Sequence, residues 1–96
     1  MTPQQYNEAV QSGVVLVDFY SDSCGPCRML NPILGQLENV SVVKENVGDS
    51  PELSAEHGIH AVPTLKFYKN GAEQSTLLGL QSKERLQSQI DALNAG

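Results

Sequence analysis

The sequence contains no tryptophan, only two cysteines and few basic residues, and each shortage argues against a class of protein. A secreted disulfide scaffold of 96 residues would normally carry more cysteines, spread along the chain. Six basic side chains against eleven acidic ones give a net charge of -5, which repels nucleic-acid phosphates and anionic lipid. We therefore expect neither nucleic acid nor a membrane as a partner.

Long apolar runs, repeats and linkers are also missing. No run approaches the roughly 18 consecutive apolar residues of a membrane-spanning helix, and residues 1–5 lack the features of a secretory signal. The five prolines and eight glycines are scattered instead of being gathered in a linker. These features predict one domain over residues 1–96, and we expect a monomer in the cytoplasm.

Four helices are predicted from their start signals and from apolar residues at helical spacing. The first begins at the capping residue Thr2, and Gly13 stops it. The second extends from the cysteine pair to about residue 38, and Pro32 should kink it because proline lacks an amide hydrogen. The third and fourth begin at Ser50 and Ser82.

Four strands are predicted at residues 14–19, 40–47, 64–68 and 73–80. The first is an apolar run broken only by Asp18, which suits a strand buried on both faces. The strand, helix, strand order makes the first two strands parallel, whereas the hairpin signal Asn70-Gly71 makes the last two antiparallel. The sequence therefore predicts an α/β fold with a mixed sheet and helices on both faces.

The two cysteines lie in the motif Cys24-Gly25-Pro26-Cys27, between a buried strand and a helix. Amide hydrogens and the macrodipole at a helix start stabilise a thiolate. One exposed thiolate can attack a substrate disulfide, and a second thiol within reach can resolve the mixed disulfide. We therefore assign Cys24 as the nucleophile and Cys27 as the resolving thiol.

Two other uses of the cysteine pair fit the sequence less well. A structural disulfide that closes so short a loop restricts the unfolded chain little and adds little stability. A zinc site would need four ligands, and the spacing of His57 and His60 from Cys27 matches no common zinc finger. We expect neither a metal nor another cofactor.

In content and order, these motifs resemble those of the thioredoxin family. The resemblance rests on residues 14–20, 24–27, 62–64, 67–71 and 78–79, and covers nearly the whole chain. It implies a thioredoxin fold with a central four-stranded mixed sheet and four helices, without the extra N-terminal strand of most members. The strand at residues 40–47 would then be an exposed edge that could pair with another molecule.

The resemblance also implies an activity and its partners. The expected enzyme is a protein-disulfide reductase that works by dithiol–disulfide exchange in electron transport and cell redox homeostasis. Its partners would be disulfide-containing proteins and a thioredoxin reductase or an equivalent reductant.

A substrate-binding surface follows from the same resemblance. The bond Val62-Pro63 should be cis and lie against the cysteine pair, where the loop holds the substrate polypeptide as an extra strand. Gly79 would leave space beside that strand. Gly25 and Pro26 complete the implied surface.

The buried carboxyl of Asp18 should have a raised pKa, because burial penalises its charged form. In the thioredoxin family an aspartate at this place lies beneath the resolving cysteine and exchanges a proton with it. The resemblance gives that role to Asp18 towards Cys27, and it gives Lys44 the role of partner to the aspartate.

Ser23 departs from the family pattern, which usually has tryptophan immediately before the first cysteine. The replacement removes a rigid apolar wall beside Cys24, so substrate choice and redox potential could differ from the family norm. Two alternatives stay open: an interaction module whose redox chemistry is incidental, and a glutaredoxin-like donor dedicated to one partner. The Gly25-Pro26 pair argues against the second.

Overall fold

The computed structural model describes all residues, from Met1 to Gly96. In chain order the elements are α1 (Pro3–Ala9), β1 (Val14–Tyr20), α2 (Gly25–Leu34), β2 (Ser41–Asn46), α3 (Pro51–Glu56), β3 (Thr64–Lys69), β4 (Ala72–Leu78) and α4 (Lys83–Ala95). The sheet order is β2-β1-β3-β4, with β1 parallel to β2 and the other neighbours antiparallel. The predicted α/β fold, with a four-stranded mixed sheet and four helices, is confirmed.

The sheet separates two hydrophobic clusters, because successive side chains of a strand point to opposite faces. On one face Leu16 of β1 packs in a cluster with Leu30 of α2 and Ile90 of α4. On the other face Val17 of β1 packs in a cluster with α1 and α3. Asp18 has the same parity as Leu16, so it lies on the face that α2 covers.

Helix α2 ends at Leu34, so the expected end near residue 38 was wrong. Beyond Leu34 the chain tightens, because the amides of Gln36 and Leu37 donate to carbonyls three residues earlier. Pro32 lies inside the helix and removes only the hydrogen bond that its own amide would donate one turn earlier, because the amide of Gly35 still donates to the Asn31 carbonyl over 3.1 Å. The expected kink at Pro32 stays a prediction.

Strand β4 ends at Leu78, two residues before the predicted end, because Gly79 adopts the left-handed conformation with φ 80°. At the other end of the hairpin, Asn70 and Gly71 have φ 49° and 87°. Two successive positive angles are the geometry of a tight hairpin turn and confirm the Asn-Gly signal. The capping of α1 is also confirmed, since the amide of Gln5 donates to Thr2 Oγ1 over 3.1 Å.

The predicted exposed edge is also present, because β2 lies at one side of the sheet and pairs only with β1. Its Val42 side chain is exposed. None of the four helices combines the length and apolar character that a bilayer crossing requires.

Candidate active site

The cysteine pair is built into the start of α2. Cys24 is the N-cap residue, Gly25 and Pro26 occupy the first two helical positions, and Cys27 completes the turn. Proline is tolerated there because an amide at the first helical positions has no acceptor within the helix. The two cysteines are disulfide-bonded, with their Cα atoms 5.2 Å apart. The short motif therefore brings both sulfurs together in the first turn of the helix.

The two sulfurs differ in exposure and in their backbone contacts. Cys27 is buried, only 2% exposed, whereas Cys24 is partly exposed. The backbone amide of Cys27 donates a hydrogen bond to Cys24 Sγ over 3.1 Å. When the disulfide is reduced, this donor and the positive end of the helix favour a thiolate on Cys24.

The loop before β3 lies against the outer sulfur. The Val62-Pro63 peptide bond is cis, as expected, and the Val62 carbonyl oxygen lies 3.7 Å from Cys24 Sγ. In the oxidised form that sulfur carries no hydrogen, so the approach is a contact in which neither atom donates. Pro63 accepts a hydrogen bond from the amide of Gly79 over 2.9 Å, which joins the two loops beside the cysteines.

Asp18 is fully buried, and neither of its carboxyl oxygens has a hydrogen-bond partner. Burial raises the pKa of Asp18 to about 6, and the positive charge of Lys44 partly opposes the rise. The predicted raised pKa is confirmed. Asp18 and Lys44 are opposite each other in the β1–β2 register, and Lys44 Nζ lies 4.0 Å from Asp18 Oδ2.

The Lys44 ammonium also contacts residues that sequence reasoning did not select. It donates a hydrogen bond to Oδ1 of Asn31 in α2, and it lies over the Tyr20 ring, 4.6 Å from the ring centre. Asn31 is four residues after Cys27, which places the two side chains on one side of the helix. That spacing was the signal that could have found Asn31.

A small cavity of about 160 Å³ lies beside Cys27, Asn31 and Tyr20. Its walls are Tyr20, Ser21, Asp22, Cys27, Arg28 and Asn31. Arg28 fixes the loop that forms the rim by donating to the Asp22 carbonyl over 2.9 Å. Ser23 is exposed beside this rim. The cavity therefore places polar side chains of the loop after β1 and of α2 beside Cys27.

The two histidines lie elsewhere. His57 is the C-cap residue of α3, its ring packs 4.5 Å from the Tyr6 ring, and burial lowers its pKa. His60 is exposed. Histidine, cysteine and acidic side chains nowhere form a group of three that could hold a metal ion.

A cysteine pair that closes a disulfide at a helix start, beside a cis-proline loop on a mixed sheet, defines the chain as a thiol–disulfide oxidoreductase. The thioredoxin family model matches residues 1–92. The thioredoxin of Rickettsia prowazekii is 40% identical over 86 residues, which cover 83% of this chain and 82% of that protein. The thioredoxin of Alicyclobacillus acidocaldarius is 38% identical over 96 residues, which cover 94% and 91%. The chain belongs to the thioredoxin family.

Solved structures agree with this assignment. A mutant thioredoxin from Halobacterium salinarum superposes with a TM-score of 0.90 at 31% identity, covering 97% of this chain and 86% of that one. Mitochondrial thioredoxin 3 from Saccharomyces cerevisiae gives a TM-score of 0.79 at 29% identity, covering 93% and 87%. As a member of this family, the protein acts on disulfides of other proteins and requires a reductant that recharges it.

Proposed function

We propose that Cys24 is the nucleophile and Cys27 the resolving thiol of protein-disulfide reduction. The Cys24 thiolate attacks one sulfur of the substrate disulfide, so that a Cys24–substrate disulfide forms and the first substrate thiolate leaves. Cys27 then loses its proton and attacks Cys24 Sγ, which forms the Cys24–Cys27 disulfide and releases the second substrate thiolate. The substrate gains two electrons and the protein loses two, which a reductase of the thioredoxin type or an equivalent reductant returns.

The observation that carries this assignment is the difference between the two sulfurs. Cys24 is partly exposed and accepts a hydrogen bond from a helix-start amide, whereas Cys27 is buried one turn inward. Only an accessible sulfur can reach a disulfide on another protein. Only a sulfur already held beside it can displace that protein without a second encounter.

The order of reactivity of the two thiols tests this assignment. In the reduced protein, Cys24 should react with iodoacetamide at least about 10-fold faster than Cys27 at neutral pH, because thiolate character and access both favour it. Mass spectrometry of peptides after brief labelling measures the two rates, and the urea-unfolded protein, in which both thiols are exposed, is the control. Preferential labelling of Cys27 would reverse the two roles.

Asp18 is proposed as the group that takes the proton from Cys27 and later returns it, with Lys44 stabilising the ionised carboxylate. A carboxyl with a pKa of about 6 changes its protonation close to neutral pH, which suits proton transfer in both directions. The side chain lies on the face of the sheet that α2 covers. A water molecule between Asp18 and Cys27 would carry the proton.

The substrate polypeptide is proposed to lie as an extra strand along Val62 and Pro63, beside Gly79 and across Gly25 and Pro26. A β-carbon at position 79 would meet no atom of the protein within 4 Å, so the space beside that backbone is open. The exposed side chains of Leu78 and Leu80 flank this position and offer apolar contact.

Replacing Gly79 with alanine should therefore weaken protein substrates selectively. A methyl group in the open space would displace the substrate backbone. If the displacement breaks one backbone hydrogen bond between substrate and protein, kcat/KM should fall about 10-fold. Insulin reduction measures this effect, while the rate with a small aromatic disulfide should not change. Gly13→Ala is the matched control, because Gly13 has φ 68° and equally open surroundings. It lies just before β1, at the end of that strand remote from the cysteine pair. Equal losses in the two variants would reject the substrate site.

We also propose that residues 1–96 form one domain that works as a monomer in the cytoplasm and carries electrons there. The packing of all four helices on one sheet supports the single domain. The use of both cysteines in one reactive pair is typical of a reducing compartment. Light scattering that reports twice the monomer mass would contradict the monomer.

A further inference from the structure

The Lys44 ammonium is held between two oxygen acceptors of different character. One is the Asn31 side chain at the protein surface, to which it donates a hydrogen bond. The other is the fully buried carboxyl of Asp18, whose nearer oxygen is 4.0 Å away. That separation exceeds the length of a charge-assisted hydrogen bond by about 1 Å.

This arrangement is unexpected from charges alone. A buried carboxylate with no hydrogen-bond partner attracts an ammonium more strongly than an exposed amide oxygen does, because the interior screens charge less. Two contacts draw the ammonium outward instead: the Asn31 oxygen and the face of the Tyr20 ring. Asn31 supplies the stronger and more directional of the two.

We propose that Asn31 is a positioning residue, which holds the Lys44 ammonium away from the buried Asp18 carboxyl and so limits how strongly the ammonium stabilises the charge of that carboxyl. The functional consequence rests on the proposed exchange of a proton between Asp18 and Cys27. Asn31 does not touch the reacting atoms; it acts through Lys44. Asn31 also lines the small cavity beside Cys27, whereas Lys44 and Asp18 do not.

The groups that face Asp18 are few. Lys44 on β2 is the one charged side chain that alters its pKa, and Leu65 is its neighbour in the β1–β3 register. Cys27 on α2 is bonded to Cys24 in the oxidised form and does not titrate. In the oxidised protein Lys44 is therefore the charge through which Asn31 acts on Asp18.

The expected effect is measurable. If the ammonium moved from 4.0 Å to a hydrogen-bonding distance of about 3 Å, the pKa of Asp18 would fall by about 1, taking an effective dielectric constant of about 20. Asn31→Ala should produce this fall, because the competing acceptor is gone. Asn31→Asp should raise the pKa, because the new carboxylate pairs with Lys44 and cancels its field.

Carboxyl carbon-13 NMR of the oxidised protein measures the pKa of Asp18 without a coupled thiol titration. Asn31→Gln keeps an amide acceptor and should leave the value close to that of the native chain. In a Lys44→Met background, Asn31→Ala should have no effect. An unchanged or raised value in Asn31→Ala, or an equal fall without Lys44, would overturn the inference.

Insulin reduction followed from pH 6 to 9 separates this inference from the proposed role of Asp18. If Asn31→Ala lowers the pKa of Asp18 and moves the pH–rate profile in the same direction, both hold. If the pKa falls and the profile stays in place, the positioning by Asn31 holds and the proton exchange between Asp18 and Cys27 fails.

Discussion

Replacing Cys24 with serine is expected to abolish the reduction of insulin disulfides, whereas Cys27→Ser should still attack once and then stop at the mixed disulfide. Without Cys27, only an external thiol can release the substrate. In the native chain Cys27 is held beside the mixed disulfide, whereas an external thiol has to collide with it. Turnover of Cys27→Ser should therefore fall by about 10³-fold or more. Insulin turbidity with a chemical reductant gives the rates, and mass spectrometry of the Cys27→Ser mixture should detect the trapped covalent complex.

The two variants need a control that leaves the sulfurs in place. Met29→Leu suits this purpose, because Met29 is an exposed residue of α2 and leucine has nearly the same volume. It should keep the native rate. Turnover by Cys24→Ser would refute the assignment of the nucleophile. A native chain that binds insulin without reducing it would instead favour the interaction module.

Asp18→Asn is expected to stabilise the folded protein at pH 7 while slowing its reaction. The pKa of Asp18 is about 6 in the folded chain against 3.8 for a free carboxyl, so burial of the ionised group costs about 3 kcal/mol above pH 6. The folded state binds a proton between these values that the unfolded state has released, so stability falls as the pH rises from about 4 to 6. Below that range the cost vanishes.

Asparagine cannot ionise, so this pH-dependent loss should disappear in the variant. The buried amide without a partner has its own cost of about 1 kcal/mol, which leaves a net gain of about 2 kcal/mol at pH 7. Urea unfolding at pH 4 and pH 7 measures both quantities. Asp49→Asn, at an exposed turn, is the control and should keep the native pH dependence.

The kinetic consequence of Asp18→Asn concerns the second step, in which Cys27 must lose its proton. Removing the acceptor should slow insulin reduction across pH 6 to 9 even though the fold is more stable. A variant that is more stable than the native chain but reduces insulin more slowly would show that Asp18 has a chemical role and not a structural one. Native rates throughout that range would remove Asp18 from the mechanism.

Sequence reasoning succeeded where the signal was local. The apolar run of β1, the Asn70-Gly71 turn and the capping box at Thr2 each predict their element from a few neighbouring residues. It failed at the end of α2, where hydrogen bonds over three residues replace the α-helical ones after Gly35, and at the end of β4, where Gly79 takes a positive φ.

In the candidate active site, too, the features that depend on neighbouring residues could be predicted from the sequence, and those that depend on tertiary contacts could not. The spacing of Cys24 and Cys27 predicted a bonded pair, and burial of Asp18 predicted its raised pKa. The cis bond before Pro63 came from family resemblance, because most such bonds are trans. The hydrogen bond between Asn31 and Lys44 could not be predicted, because it depends on how closely α2 approaches β2 in the folded chain.

Strand β2 has one neighbour, so one row of its backbone groups is without a partner in the sheet. Lys44 is the fourth residue of the same strand, which begins at Ser41. A grafted peptide that pairs with this free edge as an additional strand would lie next to the strand that carries Lys44. A light-responsive tether attached at this edge would therefore regulate the protein from a position away from the cysteine pair and from the proposed substrate surface.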